Sequence, residues 1–238
     1  MPSGSNSTIA KNTMFLSVRM VFVLFVSLYT SRVFLRVLGV EDFGINNVVC
    51  GFVALFSFLN TSLANGIQRF LNYEKEQHGN KGVTTVFNTS MLIQVGLAFI
   101  VFFLLETVGL WYINYKMVIP AERLTAALWI YQFSVLSAII VILQAPYTAA
   151  VMAYERMNYF AFVGIVDILL KLLLALTLHF VTTDKLIFYG LALLLITIVD
   201  SLMYVVYCRR NFKSLYFCRK YPKELFLKMI GFSGWGFL

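Results

Sequence analysis

Residues 14–29 read MFLSVRMVFVLFVSLY, and the reading of this stretch decides the fold. It is apolar apart from Ser17, Arg19, Ser27 and the Tyr29 hydroxyl. With its flanks, 12–37, it is long enough at the α-helical rise to cross a hydrocarbon core of about 30 Å. In lipid every backbone N–H and C=O must be paired within the segment, so the expected element is a membrane-spanning helix. Arg19 stands out inside it. A charge within a span faces protein or a water-filled cavity, or its head snorkels to the headgroups. At 100° per residue Asn12, Arg19 and Thr30 fall in one narrow sector, so the helix carries a single polar stripe. The segment LGVEDFGI (38–45) closes the run.

The rest of the chain agrees with that start. Of its 238 residues 60% are hydrophobic and only 13% charged, a composition that excludes an ordinary soluble domain and implies an all-α integral membrane protein. Apolar runs bounded by charges and turn residues predict six spans, at 12–37, 43–68, 85–113, 124–146, 159–181 and 186–208. Ten-residue stretches of alternating polarity are absent from the sequence, which excludes a β-barrel. The net charge of +8 is scattered between apolar runs and forms no basic stripe, so nucleic acid is not an expected partner. Cys50, Cys208 and Cys218 show neither Cys-x-x-Cys nor metal-ligand spacing and are expected to be packing residues, with no metal and no cofactor. The sequence has no Gly-rich phosphate loop, zinc-binding His-Glu-x-x-His or nucleophile elbow, so an enzyme is not expected. The first apolar run is too long for a cleaved signal peptide.

Orientation follows from the basic residues. Twelve lie in segments on the side of the N-terminus and five on the other, which marks the N-terminal side as cytoplasmic. The domain reading is a six-helix transmembrane lobe (1–208), a basic cytoplasmic linker (209–228) and the start of a seventh helix (229–238). Pro222 is a plausible first helical residue after the linker.

Polar groups inside the spans are the candidate functional residues. Thr61, Ser62, Asn65, Gln68 and Arg69 share one face of the second span, as cavity lining or as hydrogen-bonding residues between helices. Gln94 is isolated in the third span, and Glu106 reads as interfacial. Gln132, Ser137 and Gln144 lie on the fourth, where Pro146 removes a backbone donor and a kinked turn or short helix is expected to follow. Asp167 and Lys171 are one turn apart on the fifth, in the order that favours an ion pair, and Asp200 lies on the sixth. Counted from the cytoplasmic ends of their helices, Arg19, Asp167 and Asp200 sit about 10–14 Å deep, so a closed bundle can place them in one layer.

Several motifs together resemble a known family. They are Lys11-Asn12-Thr13-Met14, Arg19-Met20, Leu28-Tyr29-Thr30-Ser31-Arg32, the 38–45 segment, Phe56-Ser57-Phe58-Leu59-Asn60 and Gln68-Arg69-Phe70-Leu71. Pro146-Tyr147 with Glu155, the Asp167/Lys171 pair and Phe232-Ser233-Gly234-Trp235 add to these. The chain resembles the bacterial polysaccharide flippases, the O-antigen and lipid-linked oligosaccharide translocases of the multidrug/oligosaccharidyl-lipid/polysaccharide exporter superfamily. That resemblance implies one lobe of a V-shaped transporter in the cytoplasmic (inner) membrane, multi-pass with a cytoplasmic N-terminus. It implies an undecaprenyl-diphosphate-linked glycan as substrate, with cavity-facing arginines at Arg19 and Arg69. The family has two six-helix lobes, so the N-terminal lobe of a longer transporter is expected, with a second lobe as partner.

On this reading Arg19 and Lys171, with Asn65 and with Arg69 at the mouth, are candidate substrate-binding residues, because a diphosphate needs fixed cations in a low-dielectric cavity. The alternative within the superfamily is a cation-coupled multidrug exporter, in which Asp167 and Asp200 bind sodium or a proton. A non-transporting membrane subunit or fragment, whose charges only pair internally, is the third reading.

Overall fold

The computed structural model describes residues 3–55, 57–212, 225–229 and 231, and gives no side chains for 3–13, 15, 16, 18, 19 and 57–62. Described residues in regular structure are all helical. They form α1 (Ser3–Ala54), α2 (Ser57–Leu104), α3 (Leu110–Tyr115), α4 (Leu124–Ala153), α5 (Met157–Thr177) and α6 (Lys185–Asn211). A π-helical turn at Leu105–Gly109 joins α2 to α3, and short 3₁₀ turns precede α4 and follow α5.

Five continuous stretches are long and apolar enough to cross a membrane: Met20–Ala54, Leu63–Tyr115, Ala121–Ala153, Met157–Phe180 and Lys185–Asn211. Six spans were expected, and the difference lies at two glycines. Gly39 has φ 84° and ψ 168° inside α1, and Gly79 has φ 58° and ψ −140° inside α2. A Cβ makes such backbone costly, so glycine allows the chain to reverse there, and α1 and α2 are each two helices joined at that glycine. Tyr189 shows the first reversal. Its ring lies 4.8 Å from that of Phe34, before Gly39, and its hydroxyl interacts with Asn46, after it. In a straight helix these two residues stand about 18 Å apart, beyond the reach of one tyrosine. At the second reversal, a Cβ on Gly82 would come within 2.7 Å of the Glu74 carbonyl oxygen. Counted by arms, six helical segments run between the two ends of the described bundle.

The arms alternate between two ends. Asp42, Arg123 and Asp184 meet at one end, joined by ion pairs. At the other, Lys75 donates to the Ala153 carbonyl at 3.4 Å and sits 4.3 Å over the Tyr154 ring, which stacks on Phe212 at 4.2 Å. Helix α4 is central and packs most extensively on α2 and α6. Gly190 allows the approach of α6, since a Cβ there would meet Ile130 Cγ1 at 2.8 Å. After Pro146, where a kinked turn or short helix was expected, the chain continues as part of α4 to Ala153, because proline forfeits only one i→i−4 bond where neighbouring helices hold the rest. The chain then turns through Glu155 at φ 56°.

Burial follows the logic of a membrane bundle. One apolar cluster, around Val49, Leu105, Tyr131, Val135 and Leu186, fills the Asp42 end, and a second, around Leu71, Val86, Val151 and Cys208, fills the Gly79 end. Large apolar side chains such as Phe25 (67% exposed) and Phe99 (62%) point outward. That distribution is unstable in water and suits lipid. Residues 213–224 of the basic linker and 232–238 of the expected seventh helix lie outside the described residues.

Candidate functional site

Helix α5 carries two charges into the bundle. Lys171 Nζ lies 2.8 Å from Asp167 Oδ1 and 2.9 Å from Oδ2, one turn back on the same face, and both side chains are part-buried. Asp200 on α6 stands close enough to feel both of those charges. Its side chain interacts with that of Asp167, while its Oδ1 is buried with no hydrogen-bond partner among the described residues. Asp167 thus holds the lysine, Asp200 packs against Asp167, and one Asp200 oxygen is left without compensation. A buried polar atom in that condition costs about 1–3 kcal/mol, which a protein retains where the group has work to do.

Beside this cluster lies a cavity of about 340 Å³, bounded by the second arm of α1, α4, α5 and α6. Lys171 is the one charged residue among those lining it, and Cys50, Ser134, Ser137 and Thr197 add polar groups to walls that are otherwise apolar. Ser134 Oγ donates to the Ile130 carbonyl at 2.8 Å and Thr197 Oγ1 to that of Leu193 at 3.0 Å, so their protons are spent on the helices. The oxygens remain as acceptors. Chemically the cavity is an apolar slot with a cation at its edge.

The other candidates fall elsewhere. Asn65 and Arg69 are exposed on the 57–78 arm of α2 and do not line the cavity. Arg19 lies on α1, and its side chain is outside the described residues, as are those of Thr61 and Ser62. Thr30, on the same stripe, is buried and donates to the Val26 carbonyl. Glu106 accepts from Gln132 Nε2 at 3.3 Å within the π-helical turn, and beside it the Tyr131 hydroxyl donates to the Leu105 carbonyl at 2.6 Å. Gln94 is fully buried, with neither amide atom partnered among the described residues.

Sequence reasoning missed a triad at the far end of the bundle. Arg123 places one guanidinium nitrogen 3.1 Å from Asp42 Oδ2 and another 2.9 Å from Asp184 Oδ2. Asp184 also caps α6, accepting from the backbone N–H groups of Leu186 at 3.0 Å and Ile187 at 3.3 Å. An aspartate just before an apolar run is a readable cap signal, but its arginine partner, 61 residues earlier, is not.

No family model, no curated protein and no solved structure matches the chain.

Proposed function

We propose that the chain is one lobe of a bacterial inner-membrane transporter that flips a lipid-diphosphate-linked oligosaccharide for surface polysaccharide assembly. The observation that carries this reading is the charged cluster of Asp167, Lys171 and Asp200 inside an apolar helical bundle, beside a cavity edged by Lys171. Ionisable groups in spans are costly and mark substrate or ion paths. The substrate class rests on the resemblance of the sequence motifs to those of the polysaccharide flippases.

The chemistry follows from the pairing. A diphosphate seeks cations in a low-dielectric site, and Lys171 supplies one only when Asp167, its ion-pair partner, releases it. Uptake of a proton by the acid pair frees the ammonium for the headgroup, so proton and lipid binding are linked through one lysine. Arg19, on the polar stripe read from the sequence of α1, is the second cation of this reading, while Arg69 and Asn65 are exposed on the 57–78 arm and do not line this cavity. A second lobe completes the path, because alternating access rocks one bundle against another around a site at their interface.

The partnerless Oδ1 of Asp200 favours one further reading, a cation-coupled exporter in which Asp167 and Asp200 bind sodium or a proton. Export assays in the two-lobed context separate the two. Loss of glycan export in Arg19→Gln, with normal abundance and partial rescue by Arg19→Lys, supports the flippase. Export that survives Arg19→Gln but changes its pH or sodium dependence in Asp200→Asn overturns it in favour of the exporter.

A further inference from the structure

The Gly79 end of the bundle holds a second hollow, of about 420 Å³, that the transport reading does not use. Three pieces of chain form it: the end of the 57–78 arm, the start of the 80–104 arm, and the short helix 225–229 that follows the basic linker. Its charged lining is Lys81, Lys228 and Glu74, with His78 beside Glu74. His78 Nδ1 lies 2.7 Å from Glu74 Oε2, so the one carboxylate in the hollow already has a partner. The two lysines come from different pieces of chain and make no ion pair among the described residues. Between them the wall is apolar and aromatic, with Phe70, Tyr73 and Leu225.

Two cations over an apolar floor, at the end of a membrane bundle, match one kind of ligand. A phosphodiester supplies the negative charge and the acceptor oxygens that two ammonium groups require, and an attached glycerol and acyl chain covers Phe70, Tyr73 and Leu225. Tyrosine suits this depth, with its ring in the apolar region and its hydroxyl at the headgroups. We propose that this hollow binds the phosphodiester of an anionic membrane lipid, which joins Lys81 of the Gly79 reversal to Lys228 of the segment leading out of the lobe. The bound lipid then holds that following segment against the Gly79 end, where Met229 is buried in the same apolar cluster as Leu71 and Val86. The proposal needs a membrane but no particular substrate, and it stands apart from the flippase reading.

Native mass spectrometry of the full chain tests it after reconstitution with equal amounts of phosphatidylglycerol and phosphatidylcholine. Each lysine near an anionic surface contributes enough that loss of both weakens binding about thirtyfold. The expected result is phosphatidylglycerol retained through detergent exchange in preference to phosphatidylcholine, with the preference lost in Lys81→Gln/Lys228→Gln. Lys116→Gln, at the opposite end, should leave it unchanged. Equal retention of the two lipids overturns the proposal, and so does a preference that survives the double substitution. If inorganic phosphate at millimolar concentration displaces the lipid completely, the site is one for free phosphate and the lipid assignment fails. A double variant that does not fold is replaced by Lys81→Arg/Lys228→Arg, which must keep the preference.

Discussion

Arg123 bridges two carboxylates that lie far apart in sequence, with Asp42 Oδ2 at 3.1 Å and Asp184 on its other side. Asp42 is 4% exposed, and its Oδ1 has no hydrogen-bond partner among the described residues. The arginine therefore holds the Gly39 reversal of α1 against the starts of α4 and α6. Removing it leaves a buried carboxylate without its cation, which costs about 3–5 kcal/mol. Arg123→Gln should lower the unfolding midpoint in detergent well below that of Asp42→Asn, which removes charge and partner need together. Adding Asp42→Asn to Arg123→Gln should recover much of the loss, and a strictly additive double variant would disprove the coupling.

Gly109 predicts a packing effect. A Cβ there would collide with the Tyr131 hydroxyl and come within 3.0 Å of Phe52. Tyr131 is completely buried and donates to Leu105, so the ring cannot swing away without losing that bond. Gly109→Ala should destabilise by about 1–3 kcal/mol, read as a lower thermal midpoint. In Gly109→Ala/Tyr131→Phe, where the hydroxyl is gone, the alanine should cost less.

The reversals predict backbone effects of another kind. Nothing stands within 4 Å of a Cβ built on Gly39 or Gly79, yet both have positive φ. Alanine at either should cost about 1–3 kcal/mol through backbone strain alone, and asparagine about as much, because ψ at both lies outside the left-handed helical region that asparagine tolerates. A clear advantage of asparagine over alanine would contradict that cause.

The charged cluster makes a stability prediction independent of any substrate. Lys171→Gln leaves Asp167 and Asp200 facing each other without a cation, so membrane abundance should fall by a large factor. Adding Asp200→Asn should restore it in part, since the acid pair then carries one charge instead of two. Unchanged abundance in Lys171→Gln would mean that water reaches the cluster freely.

Sidedness is testable directly. Asn80 and Asn114 are both exposed, at opposite ends of the third crossing. Reporter fusions at Asn80 should give a cytoplasmic signal and at Asn114 an external one, following the excess of Lys and Arg on the N-terminal side. The opposite pattern would invert the orientation.

The helical, membrane-spanning character of the chain was determined by sequence alone. Apolar runs of that length have one outcome in lipid, since backbone groups there must be paired within the segment. The Asp167–Lys171 pair was legible for a similar reason, because its partners are four residues apart and any helix brings them together. Asp200 could be assigned a depth by counting residues, but its proximity to that pair depends on how α5 and α6 pack. What only the tertiary structure decided are relationships across elements. The break after the first span was legible in the 38–45 segment, but that the chain folds back at Gly39 so that both arms meet one tyrosine is decided by the contacts of Phe34 and Asn46 with Tyr189. Likewise Pro146 reads as a boundary locally, yet α4 passes through it because packing on α2 and α6 outweighs one lost hydrogen bond. The Arg123 triad and the Lys81–Lys228 hollow join residues 61 or more positions apart. No local periodicity encodes such pairs, since they come from the packing angles of whole helices.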